Sequence, residues 1–186
     1  MPMAQTIKRW TRADLGNLPD DGNSYEVIRG ELFVTPAPRV RHQQIVVVLA
    51  RLIGRYVDAH GLGDVHQPRS VIVFEDNEAE PDLMVRPAVS APVDEWEDAP
   101  MPFLVIEVVS DSTRRRDLTA KRSLYLDAGI PEYWIVDGDA RSITVVRRDV
   151  PDVVVADRLR WSPAGAPAPL DIDVKALFRD ALDSRA

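Results

Sequence analysis

The chain has 186 residues, 45% of them apolar and 28% charged, with a formal net charge of -7 and no cysteine. That size suits one folded unit spanning 1–186, and the missing cysteines exclude disulfides, thiolate metal sites and a cysteine nucleophile. The acidic balance argues against non-specific coating of nucleic acid, though not against a nuclease whose metal-binding carboxylates themselves add negative charge.

The first residues, MPMAQTIKRW, lack the apolar centre of a signal peptide, and no run is long enough to span a bilayer; the expectation is a cytoplasmic protein that needs no membrane. TRADL predicts a short Thr-capped helix, and two apolar runs around Arg29-Gly30 predict a hairpin. Over 42–60 the apolar residues recur at helical spacing up to Gly61, which predicts the longest helix. RSVIVF and PDLMVR then read as strands. A Pro-rich acidic loop follows, and after it the strand FLVIEVV.

A second helix is expected from about 115 to 128, closed by Gly129, followed by the strand PEYWIVD, a turn, the strand RSITVVRR and the weaker strand DVVVA. SPAGAPAPL reads as a loop and VKALFRDAL as a last helical piece. The fold class expected is mixed α/β. A strand, helix and strand in succession make a right-handed crossover, so FLVIEVV and EYWIVD should be parallel neighbours.

FLVIEVV reads as a strand buried on both faces, and Glu107 lies inside it. An ionised carboxylate cannot be buried alone, so it requires a cation, a proton or an exit to solvent. Pairing PDLMVR antiparallel to FLVIEVV across the acidic loop sets Arg86 against Phe103 and Asp82 against Glu107. Two facing carboxylates call for a shared proton or a cation, and a hard ion such as Mg²⁺ fits oxygen donors.

On the second helix, Leu118, Leu124, Tyr125 and Ala128 form an apolar stripe that includes Lys121, so this lysine should face inward. The bland alternative is a snorkelling lysine paired with Asp117. Arg114, Arg115 and Arg116 sit at the predicted N-terminus, where the helix dipole disfavours cations; receiving phosphate would explain them, as would a solvated run offset by Asp111 and Asp117.

The string YEVIRGEL, then P.P...H opening a helix, PDL, and IEVVSDST...D...K...Y...GIPEYWIVD resembles the Uma-two restriction-endonuclease family of the PD-(D/E)XK phosphodiesterase superfamily, over about 11–148. The resemblance implies a restriction-endonuclease-like mixed sheet of helix, three-strand meander, helix and strand. The N-terminal hairpin and C-terminal strands are additions to it. It implies that Asp82, Glu107 and the Val108 carbonyl ligate Mg²⁺ or Mn²⁺, with Glu31 of GEL as an additional acid.

The usual lysine two residues after the acid is replaced by Val109, and Lys121 is the match for its role. Apart from the resemblance, His42 leads its helix and is either a surface residue there or a contact to substrate. The implied reaction is metal-assisted hydrolysis of nucleic acid, DNA before RNA, leaving 5′-phosphate and 3′-hydroxyl ends; no specificity domain is visible, which suggests a homodimer or relaxed preference. The alternative is a catalytically silent nuclease-fold module that binds nucleic acid or a protein. A two-carboxylate sugar hydrolase would want aromatic platforms, and only 6% of residues are aromatic.

Overall fold

The computed structural model describes residues 8–110 and 113–183. In chain order it comprises α1 (Arg12–Leu15), β1 (Ser24–Ile28), β2 (Glu31–Thr35), α2 (Val40–His60), β3 (Gly63–His66), β4 (Ile72–Phe74), β5 (Asn77–Ala79), β6 (Leu83–Pro87) and β7 (Leu104–Val109). A helical segment follows in three pieces: α3 (Arg114–Arg116), a π-helical turn (Asp117–Lys121) and α4 (Arg122–Asp127). The chain continues through β8 (Glu132–Asp137), β9 (Ser142–Val146), β10 (Val153–Val155), β11 (Arg158–Trp161), β12 (Leu170–Asp173) and α5 (Val174–Leu182).

The expected helices and the strands around Glu107 are present, and the mixed α/β class holds. The main sheet has the order β10-β9-β8-β7-β6-β3. Within it β7 and β8 are parallel, as the crossover rule requires, and the other pairs are antiparallel. A second sheet, β2-β1-β5-β4, is wholly antiparallel. Its hairpin turn needs a left-handed pair, which Arg29 (φ 54°) and Gly30 (φ 83°) supply. β3, β5, β11 and β12 were not expected from the sequence.

All six residues of β7 are buried, which is what a run without alternation demands of a central strand. Leu104, Ile106 and Val108 face one cluster, built with Ile45, Leu49 and Ile53 of α2, Trp134, Trp161 and Phe178 of α5. Val105 and Val109 face a second cluster with Met84, Tyr133, Ile28, Ile72 and the α4 residues Leu124 and Tyr125. Glu107 shares the parity of Val105 and Val109. Its side chain therefore lies on the face covered by the small sheet and the helical segment.

α2 ends at Gly61 in the left-handed conformation (φ 60°), and Leu62 N–H returns to the Val57 carbonyl. Its other end brings His42, in the first turn, to the rim of the main sheet.

A candidate active site at the end of two neighbouring strands

β6 and β7 pair antiparallel with Leu83 opposite Ile106, Met84 opposite Val105 and Val85 opposite Leu104. Extending that register by one residue sets Asp82 against Glu107. Asp82 is held there because its Oδ2 accepts the Val108 N–H at 2.8 Å. His42 Nε2 lies 3.1 Å from the same oxygen.

Both carboxylates line a cavity of about 700 Å³, together with Val108, His42, Lys121 and Arg116. The opening is walled by Pro36, Pro38 and Pro68 and carries Arg39, Arg41 and Arg69. Among the described lining residues there is no Phe, Tyr or Trp, which counts against a sugar-binding site.

Lys121 does face inward and is 1% exposed. Its ammonium lies 2.7 Å from Glu107 Oε1 and 2.7 Å from Glu26 Oε1, and it donates to the Glu80 carbonyl at 3.2 Å. The local pair with Asp117 is not what satisfies it. Tyr125 O–H also donates to Glu107 Oε1, at 2.7 Å. The π turn explains the phase: its wider winding stacks Asp117 beneath Lys121 on the buried side and turns Leu118 outward, 43% exposed, so Leu118 is not part of the apolar stripe.

The arginine run is dispersed, because successive helical residues point about 100° apart. Arg114 bonds Asp137 Oδ2 at 2.7 Å, and Arg115 is exposed. Only Arg116 lines the cavity, where it meets Glu26 Oε2 at 2.8 Å, Thr35 Oγ1 at 2.6 Å and Asp117 at 3.4 Å. Asp111 lies outside the described residues. The three arginines therefore form no common phosphate-receiving patch.

Glu31 is likewise not brought to the cavity: it is exposed at the start of β2, on the hairpin turn. The acid that β1 and β2 deliver is Glu26, 2% exposed. The signal was present in YEVI, where a carboxylate stands inside an apolar strand just as Glu107 does. Asp117, Glu80 and Tyr125 were also not singled out as site residues, although Asp117 and Tyr125 are the D and Y of the D...K...Y spacing around Lys121; nothing local marks Glu80.

The floor of the cavity gathers Glu26, Glu80, Asp82, Glu107 and Asp117 around two fixed cations, Lys121 and Arg116. Burial pushes the Glu107 carboxyl well above its usual range; Lys121 opposes this, while Asp82, Asp117 and Glu26 add to it. Burial likewise raises Asp117 and Glu80. Burial would lower the Lys121 ammonium, but Glu107 and Glu26 outweigh it and hold the group charged. For His42 burial again works downward and the hydrogen bond and charge of Asp82 prevail, so its pKa is raised above 6.5.

Such a negative floor suits a cation. Among the described residues no group of three or more His, Cys, Asp or Glu is arranged to hold a metal ion unaided. Two carboxylates and a backbone carbonyl are nevertheless hard oxygen donors, and Mg²⁺ is commonly held by one or two carboxylates with water and substrate phosphate completing its shell. The donor set fits that ion.

A mixed sheet that exposes the ends of β6 and β7 to a carboxylate-lined cavity, backed by a hairpin and a helical segment, defines a protein of the restriction-endonuclease-like class. A family model described as "Uma2: Putative restriction endonuclease" matches residues 12–174, and the chain belongs to that family. Among solved structures it is similar to a protein described as a putative nuclease belonging to DUF820 from Anabaena variabilis, with a TM-score of 0.78 and 22% identity over 93% of this chain and 99% of that one. That likeness concerns the fold. No curated protein matches the chain. Among the described residues no helix is long and apolar enough to cross a membrane.

Proposed function

We propose that the protein is a Mg²⁺-dependent phosphodiester hydrolase, an endonuclease acting on nucleic acid and on DNA in particular, with Mn²⁺ able to replace Mg²⁺. The observation that carries this reading is the convergence of Asp82 and Glu107 on one cavity with the Lys121 ammonium 2.7 Å from Glu107. Family membership supports it.

Asp82, Glu107 and the Val108 carbonyl would hold the cation. When bound, the ion would supply Lewis-acid chemistry, drawing charge from the phosphoryl oxygens and acidifying the attacking water. His42 orients Asp82 through its 3.1 Å contact, and Val108 N–H fixes the same oxygen. Lys121 opposes the burial that pushes the Glu107 carboxyl up, and it sets positive charge beside the reacting phosphate, where negative charge grows. Arg39, Arg41 and Arg69 at the opening would meet the flanking phosphates.

The test is cleavage of a panel of supercoiled plasmid, linear duplex, single-stranded DNA and RNA in Mg²⁺. Cleavage of at least one DNA substrate is expected, abolished by EDTA and reduced about 10²- to 10³-fold in Glu107→Gln and Asp82→Asn. Cleavage that survives EDTA or Glu107→Gln would refute the assignment.

A further inference from the structure

Val109, where a strand-borne cation would stand, is packed in the second apolar cluster. The cation instead arrives at the tip of a long side chain from the π turn, and a free lysine would spread over many rotamers. Something other than the sheet backbone must therefore set its place.

Lys121 donates to Glu107 Oε1 and to the Glu80 carbonyl, and its ammonium forms an ion pair with Glu26 Oε1 at 2.7 Å. Of these partners, Glu26 is the one that also reaches the second cation. Its Oε2 lies 2.8 Å from Arg116 Nη1, and its Oε1 also accepts the Glu80 N–H at 2.8 Å. Oε1 thus serves a backbone N–H and the ammonium at once. Glu26 comes from β1, far in sequence from the helical segment, so the hairpin and the helical segment are tied together at this point.

We propose that Glu26 is a positioning residue: its carboxylate fixes the Lys121 ammonium against Glu107 and the Arg116 guanidinium at the cavity edge, setting the site's cations from the N-terminal hairpin. The inference rests on the hydrolase reading for its kinetic consequence, while its structural half stands on the geometry alone.

Glu26→Gln keeps the size of the side chain and removes its charge. It strands no buried cation, because Glu107 and Asp117 remain beside Lys121 and Arg116. In that variant kcat is expected to fall about 10- to 100-fold, with KM changed far less. In a Lys121→Met background, adding Glu26→Gln should lower kcat by clearly less than it does alone, since Glu26 acts largely through the lysine.

A second readout needs no activity. The chain has only three lysines, Lys8, Lys121 and Lys175, and amine labelling followed by mass spectrometry resolves them. Lys121 should be protected in the wild type and labelled several-fold faster in Glu26→Gln, with Lys8 and Lys175 unchanged. Glu26→Asp, which keeps the charge on a shorter arm, should fall between the two in both readouts, and it replaces the Gln variant should that one not fold.

Wild-type kcat in Glu26→Gln, an additive loss in the Lys121→Met background, or unchanged labelling of Lys121 would overturn the proposal. A wild-type protein that cleaves nothing would instead refute the hydrolase reading, with the labelling result still deciding whether Glu26 holds the lysine.

Discussion

Replacing Lys121 by Met gives the sharpest stability forecast, because the substitution keeps volume while removing the ammonium and its hydrogen bonds. Both Glu26 Oε1 and Glu107 Oε1 lie 2.7 Å from the ammonium, so these oxygens are at most twice that, 5.4 Å, apart. At about 5 Å and an effective dielectric constant of about 20, two unscreened carboxylates repel by about 3 kcal/mol. That agrees with the roughly 3–5 kcal/mol lost when one partner of a buried ion pair is removed.

The loss depends on pH. The folded-state pKa of Glu107 is already raised above 4.5, so the folded protein binds the extra proton, and stability from this group is full below about 4.5 and declines as pH rises through the raised value. Without Lys121 that value rises further, and the decline is deeper. Urea melts at pH 5, 6.5 and 8 should therefore show a deficit that grows to about 3 kcal/mol at pH 8, a midpoint shift of about 1.5 M for a slope of about 2 kcal/mol/M. A deficit below about 1 kcal/mol, or one that does not change with pH, would refute the reasoning.

Further outcomes follow from the same contacts. With three histidines in the chain, NMR titration should place His42 above 6.5 and His66 below it. His66 is depressed by burial first and then by Arg86, and Asp82→Asn should bring His42 down. The stability His42 contributes is present below 6.5 and lost as pH rises through its raised value. Arg86→Met removes hydrogen bonds to the carbonyls of Val71, Ala99 and Pro100 and the stack on Trp96; a loss of about 2–3 kcal/mol and faster proteolysis within 88–99 are expected. Gly63→Ala sets a Cβ 1.8 Å from the Arg86 carbonyl oxygen at φ 148°, where neither backbone can yield, and should lower the melting temperature by about 6–12 °C or prevent folding.

What the sequence revealed depended on how local each cause is. Asp82 could be set against Glu107 because a single loop joins their strands and leaves little choice of register. The parallel β7-β8 pair followed from handedness alone. Leu118 was misplaced because one π turn changes the phase of everything around it, and no residue of DLTAK announces such a turn.

Glu26 was passed over for Glu31 because the choice depends on which strand residue of the hairpin lies over β7, a contact between distant parts of the chain. The arginine run misled for a related reason. Its composition suggests a patch, and helical geometry sends Arg114 to Asp137 and Arg116 to Glu26 and leaves Arg115 exposed. The short strands β3, β5, β11 and β12 carry too few residues to show a period.

The central claim is that Asp82 and Glu107 hold a divalent cation between the ends of β6 and β7. Titration calorimetry of the full chain with Mn²⁺ tests it most directly. Uptake of one equivalent, lost in Asp82→Asn and in Glu107→Gln but retained in Glu31→Gln, is the predicted result; no uptake, or uptake indifferent to Asp82 and Glu107, would contradict it.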